Sequence, residues 1–130
     1  TREEMDKLGW SEPDILLVSG DAYVDHPACG PALLGRLLVA HGFRVALVTQ
    51  PAWTDSKDIS ALGRPRLFAG ITAGSMDSML AHYTAFRKKR RDDAFTPGGQ
   101  AGARPNRASI VYANLLRQAF PGLPVILGGI

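Results

Sequence analysis

Asp14-Ile15-Leu16-Leu17-Val18-Ser19-Gly20 runs directly into Asp21-Ala22-Tyr23-Val24-Asp25-His26-Pro27-Ala28-Cys29-Gly30. This passage decides the fold. Its first half is an unbroken apolar run of strand length, and its second half opens onto a helical pattern. An alternating run would mark a sheet with one wet face. A continuous one marks a strand covered on both faces, as in a parallel sheet. Three further runs have the same character: Arg44–Gln50, Arg66–Ala73 and Pro124–Gly129. Each ends in small or polar residues.

Helical patterns lie between the runs. Leu33, Leu34, Leu37 and Leu38 form a stripe from Pro31 to His41, with Gly42 beyond the end. Met76, Met79, Leu80 and Tyr83 keep helical spacing over 76–86, with Ser75 as the expected N-cap. Ile110, Val111, Leu115, Leu116 and Ala119 repeat likewise over 107–120, and a weaker helical turn covers 56–62. The order β-α-β-α-β-α-β predicts a three-layer, Rossmann-like or flavodoxin-like domain with strand order 2-1-3-4. Ligands of such folds bind beyond the carboxyl ends of the strands, at the switch point between the first and third strands.

A chain of 130 residues is one domain's worth, and its 45% apolar and 21% charged composition is that of a globular protein. No apolar run approaches the ~20 residues of a membrane helix. The lone cysteine, Cys29, excludes an internal disulfide and fits a reducing, cytoplasmic setting. It also excludes a zinc or iron–sulfur site built from several thiolates of these residues. Cys29 itself reads as a small buried hydrophobe. The chain starts at Thr1 without a methionine and stops at Ile130 where a fourth strand hands over, so a piece of a longer protein is expected.

The net charge of +3 is unevenly spread. Residues 87–107 carry +5 and the remainder −2. The segment 87–105 (RKKRRDDAFTPGGQAGARP) has no periodicity and is rich in glycine and proline, so a flexible basic loop is expected there. Its basic start reads as the solvated cationic end of the preceding helix, favourable for the helix dipole. The alternative is a nucleic-acid or partner-binding surface at 87–91. Interleaved aromatic residues would argue for RNA, but Phe95 stands alone in this segment.

The candidate site gathers where strands end. Asp21, Tyr23, Asp25 and His26 put two carboxylates, a phenol and an imidazole into six residues, just before the helix that Gly30 opens. His26 has the chemistry of a general base or metal ligand, with Asp21 or Asp25 to orient it. The same residues equally serve to tie the loop to its own backbone. Gly74 and Ser75 after the third run, and Gly128 and Gly129 after the fourth, leave room for close backbone approach. Neither G-x-G-x-x-G nor a P-loop is present, which argues against ordinary dinucleotide binding and nucleotide hydrolysis. A stand-alone hydrolase built on His26 would lack a positioned nucleophile.

Arg2-Glu3-Glu4-Met5, Gly9-Trp10 and Gly20 to Pro27 (GDAYVDHP) resemble the amino-terminal region of the YgiQ-type radical SAM family. So do Ala73 to Met79, Asp92-Asp93-Ala94 and Val125 to Ile130. The resemblance implies a cobalamin-binding-like Rossmann domain ahead of a radical SAM barrel in the same parent chain. It implies a [4Fe-4S] cluster held by CxxxCxxC and S-adenosylmethionine in that barrel, outside these residues. The substrate, small or macromolecular, is unassigned. Related domains that ligate cobalt use D-x-H-x-x-G. Here Asp25 and His26 are adjacent and Gly30 follows His26 by four. The expectation is an accessory domain, not itself catalytic. It would shape the active site or hold a cobalamin-like or nucleotide-like ligand.

Overall fold

The computed structural model describes residues 1–23 and 29–129, the side chain of Cys29 excepted. Asp25 and His26 therefore lie outside the described residues.

Among the described residues, four short strands form one sheet: β1 (Ile15–Ser19), β2 (Val45–Thr49), β3 (Phe68–Thr72) and β4 (Val125–Gly128). All pairings are parallel and the order is β2-β1-β3-β4. The register sets Leu16 beside Ala46 and Ala69, and Ala69 beside Val125. Every β1 residue is buried, as its continuous apolar run predicts. Successive side chains of a strand point to opposite faces. Leu16, Val18, Ala69 and Ile71 thus share one face with the main core, which also holds Ile59, Tyr112, Leu116 and Phe120.

Among the described residues, five α-helices accompany the sheet: α1 (Arg2–Lys7), α2 (Cys29–Ala40), α3 (Lys57–Ser60), α4 (Ser78–His82) and α5 (Ala108–Ala119). α5 packs on β3 and β4 over the main core, and α3 lies against α5. α2 packs on β1 and β2, approaching Leu17 through Gly35. α1 was not legible from periodicity. A capping box between Thr1 and Glu4 holds it, and Met5 anchors it in the core.

Three expectations need correction. The leucine stripe of α2 is not sealed: Leu33, Leu34 and Leu37 are exposed. Ile126 and Leu127 on β4 are exposed too, so that strand lacks the double cover its sequence predicts. The helix expected over 76–86 is only Ser78–His82, capped by Asp77 rather than Ser75, with Asp77 Oδ1 accepting from the Met79 amide at 2.8 Å. Beyond it the chain turns back as a hairpin. Tyr83 pairs antiparallel with Lys89, and the Thr84 amide donates to the Lys88 carbonyl at 2.9 Å. The basic run is therefore a hairpin arm, not a helix end.

The segment 87–105, expected as a flexible loop, contributes residues to the interior. Asp93, Thr96, Arg104 and Pro105 are all buried. Burial and hydrogen bonding of charged groups hold this segment, and apolar patterning cannot reveal either.

Candidate functional site

The loops at the carboxyl edge of the sheet meet around one buried guanidinium. Arg104 is 1% exposed. Its Nη1 donates to Asp21 Oδ1 at 2.8 Å, while Nε and Nη2 donate to the two oxygens of Asp93 at 2.9 and 3.1 Å. Nη1 also reaches the Met76 carbonyl at 3.4 Å. The Phe95 ring lies 5.2 Å from the guanidinium carbon, close enough for cation–π attraction. An arginine accepts burial only when its charge and donors are met. Here two carboxylates, one of them bidentate, meet them.

Asp21 follows β1 directly and faces two ways. One oxygen takes Arg104, and the other accepts the Ser75 amide at 2.6 Å. The carboxylate approaches the backbone after β3 so closely that a Cβ on Gly74 would overlap it, and Gly74 also has φ of 115°. Gly20 obeys the same constraint, since a Cβ there would run into the Ala73 carbonyl. These two glycines let the loops after β1 and β3 touch across the switch point.

Asp93 is buried, which works against its ionisation. The Arg104 hydrogen bonds, the Phe95 amide and the Arg104 charge outweigh that and hold its carboxyl below the ordinary range. His82 sits beyond it, with Nε2 3.8 Å from Asp93 Oδ2. Its Nδ1 faces Asn106 Oδ1 at 2.7 Å, while Asn106 Nδ2 donates to Tyr83 Oη at 3.1 Å. Nε2 is the one buried side-chain polar atom without a hydrogen-bond partner among the described residues. Gln50, with φ of 44°, closes the edge by donating to Thr96 Oγ1 at 2.8 Å and the Gly20 carbonyl at 3.3 Å.

The candidate residues from the sequence fall into separate groups. Asp21, Gly74 and Ser75 meet directly. Tyr23 is exposed nearby in the chain, and the Ser75 side chain is exposed at the same edge. Gly30, Gly128 and Gly129 line a different space, a cavity of about 390 Å³ between α2 and strands β3 and β4, walled by Leu17, Leu34 and Ile126 among others. Asp25 and His26 are outside the described residues. Helix α4, which starts near this edge, is five residues long and already capped by Asp77. Arg104, Asp93, Gln50 and His82 were missed as participants. Asp93 and Arg104 give one sequence signal, opposite charges inside a Gly/Pro-rich segment, and solvated charges give the same signal.

The donor set does not fit the iron–sulfur cluster that the resemblance brings in. An iron–sulfur cluster needs several thiolates, and the sequence holds one cysteine. Among the described residues no group of three His, Cys, Asp or Glu side chains stands ready for a metal ion. Asp21 is committed to Arg104 and the Ser75 amide.

The fold and edge define a doubly wound α/β domain whose switch-point loops are locked by a buried ion cluster. The chain belongs to the Radical SAM N-terminal family, which matches residues 1–130. It is 62% identical over all 130 residues to a UPF0313 protein of Thermotoga petrophila. It is 58% identical to one of Pseudomonas aeruginosa and 55% to one of Vibrio vulnificus, again across the whole chain. The chain spans 23% of the Thermotoga relative and 17% of the other two. No solved structure matches it. No helix among the described residues is long and apolar enough to cross a membrane.

Proposed function

We propose that this chain is the accessory amino-terminal domain of a larger radical SAM protein, docking its α2–β4 side on the rest of the parent chain. The observation that carries the reading is the apolar strip formed by Leu33, Leu34 and Leu37 on α2 with Ile126 on the same face of β4, all at least half exposed. Patches of that kind mark interfaces. The full-length relatives supply several times this chain's length to cover it. The parent's cluster and S-adenosylmethionine would supply the radical chemistry from outside these residues. The locked carboxyl edge would then shape the wall of the substrate space, with Tyr23, Ser75, Gly30, Gly128 and Gly129 left to contact a nucleotide-like or cobalamin-like ligand.

Hydrogen exchange on the full-length protein tests the docking. Alternate amides of a strand point away from its one neighbour. On β4 those outward amides are expected to exchange as slowly as the ones paired to β3. Fast exchange there would mean β4 is a bare edge in the intact protein and would overturn the reading.

A further inference from the structure

The hairpin after α4 does not serve the lock at the carboxyl edge. Helix α4 stops at His82, and the chain reverses through Thr84 and Arg87. The Arg87 amide donates to the Thr84 carbonyl at 2.9 Å, the Lys88 amide to Thr84 Oγ1 at 3.2 Å, and the Arg90 amide to the His82 carbonyl at 2.8 Å. The turn is thus closed by its own hydrogen bonds and holds Arg87 at φ 59°. At its tip Phe86 is 88% exposed, higher than any other large apolar residue described.

Arg87, Lys88, Lys89, Arg90 and Arg91 follow in unbroken succession, all exposed. Among the described residues none has a carboxylate at ion-pairing distance. Of the two carboxylates that follow, Asp93 is committed to Arg104 and Asp92 is exposed beyond the end of the run. The base of the hairpin borders a cavity of about 510 Å³ lined by Trp53, Tyr83, Lys89, Arg90 and Asn106. Trp53 comes from the loop after β2, thirty residues before Tyr83, and it is 43% exposed. The sequence therefore hides the aromatic partners of the basic run. Folding puts Trp53 and Tyr83 in the cavity beside that run, and Phe86 at the hairpin's tip.

From this juxtaposition we infer that the hairpin 83–91 and its cavity form a binding surface for single-stranded nucleic acid. Unpaired cations along one arm meet consecutive phosphates, and aromatic faces accept unstacked bases without regard to their identity. An acidic peptide would use the cations but not the rings. A duplex hides its bases from them. The inference is independent of where the domain docks, because the hairpin and the α2–β4 strip share no residue.

The test is fluorescence anisotropy of the full-length protein with labelled oligouridylate and oligothymidylate of about twelve nucleotides. A duplex of equal charge, poly-glutamate and anionic phosphatidylserine vesicles serve as competitors. Binding of either single strand is expected, and a preference between them tells RNA from DNA. Affinity should fall steeply from about 50 to 200 mM salt. Phe86→Ala should weaken it roughly tenfold, the loss of one stacked base. Replacing Lys88 and Lys89 by Ala should flatten the salt slope by about 0.7 for each phosphate that is no longer neutralised. The thermal midpoints of both variants should stay at the wild-type value, since these side chains are exposed. No single-strand binding overturns the inference. So does equal competition by duplex, poly-glutamate or vesicles with Phe86→Ala indistinguishable from wild type, which would leave a purely electrostatic surface.

Discussion

Two carboxylate–guanidinium clusters sit at opposite ends of β1, and they do different work. At the amino end, Asp14 accepts from Arg44 Nη2 at 2.7 Å, Arg44 Nε at 3.2 Å and the Arg44 amide at 2.8 Å, while Arg66 Nη1 donates at 3.2 Å. That cluster ties together the starts of three adjacent strands at the surface, and the Arg66 side chain is 55% exposed. At the carboxyl end, Arg104, Asp21 and Asp93 are all within 1% of complete side-chain burial. Water backs up the amino-end cluster when a partner is removed. At the carboxyl end nothing does, so the buried cluster specifies where residues 92–105 must lie.

The largest break expected in this comparison is Arg104→Met. It leaves Asp21 and Asp93 buried without their countercharge and should cost about 3–5 kcal/mol in denaturant unfolding. Adding Asp21→Asn and Asp93→Asn should recover much of that loss, because the penalty is the stranded charge. A loss below about 1 kcal/mol for Arg104→Met would show that the cluster is wet and the contrast false.

Gly74→Ala comes next. It brings a Cβ against the Asp21 carboxylate at a φ of 115°, and a loss of about 1–3 kcal/mol is expected by thermal unfolding. A neutral result would mean that the β1 and β3 loops do not touch as closely as described.

Asp14 gives the pH-dependent arm. Its side-chain and amide hydrogen bonds from Arg44 pull its carboxyl down to about 2, against about 3.9 for an unfolded aspartate. Between those values the unfolded chain binds more protons, so stability is full above about pH 5 and falls as the pH drops towards 2. Asp14→Asn should flatten that acid limb and cost about 1–2 kcal/mol at neutral pH. An unchanged acid limb would assign the dependence to other carboxylates. Asp93, also held low, is the first to examine.

The smallest effect sharpens the anchoring argument. Backbone order parameters over 93–96 and at Arg104 should match those of the strands, at about 0.85, whereas the hairpin tip at 86–88 should lie lower. Values at Asp93 and Arg104 as low as at the tip would restore the picture of a mobile segment throughout.

How far each feature was legible follows from the range of the interaction behind it. The strands could be placed within a residue or two because continuous apolar runs are local, and their order followed from the alternation of elements. Helix α1 escaped because a six-residue helix held by a capping box shows less than two turns of periodicity. The second half of the candidate helix 76–86 escaped because Thr84 and Lys88 close a hairpin that apolar spacing does not report. At the site, Asp21, Gly74 and Ser75 were legible from strand ends. Arg104 was not, because its partner Asp21 lies 83 residues away.

What the sequence determined by itself was the class of sheet, the edge where loops converge and the excess charge of residues 87–107. These depend on composition and spacing over short windows. Only the tertiary structure decided which charges are buried and which are free. Asp93 and Arg104 neutralise each other inside, while Arg87 to Arg91 stay outside beside Trp53 and Phe86. Identical side chains in one segment take opposite roles because burial is a property of the whole packed molecule. A charge goes inside only where the fold brings it a partner.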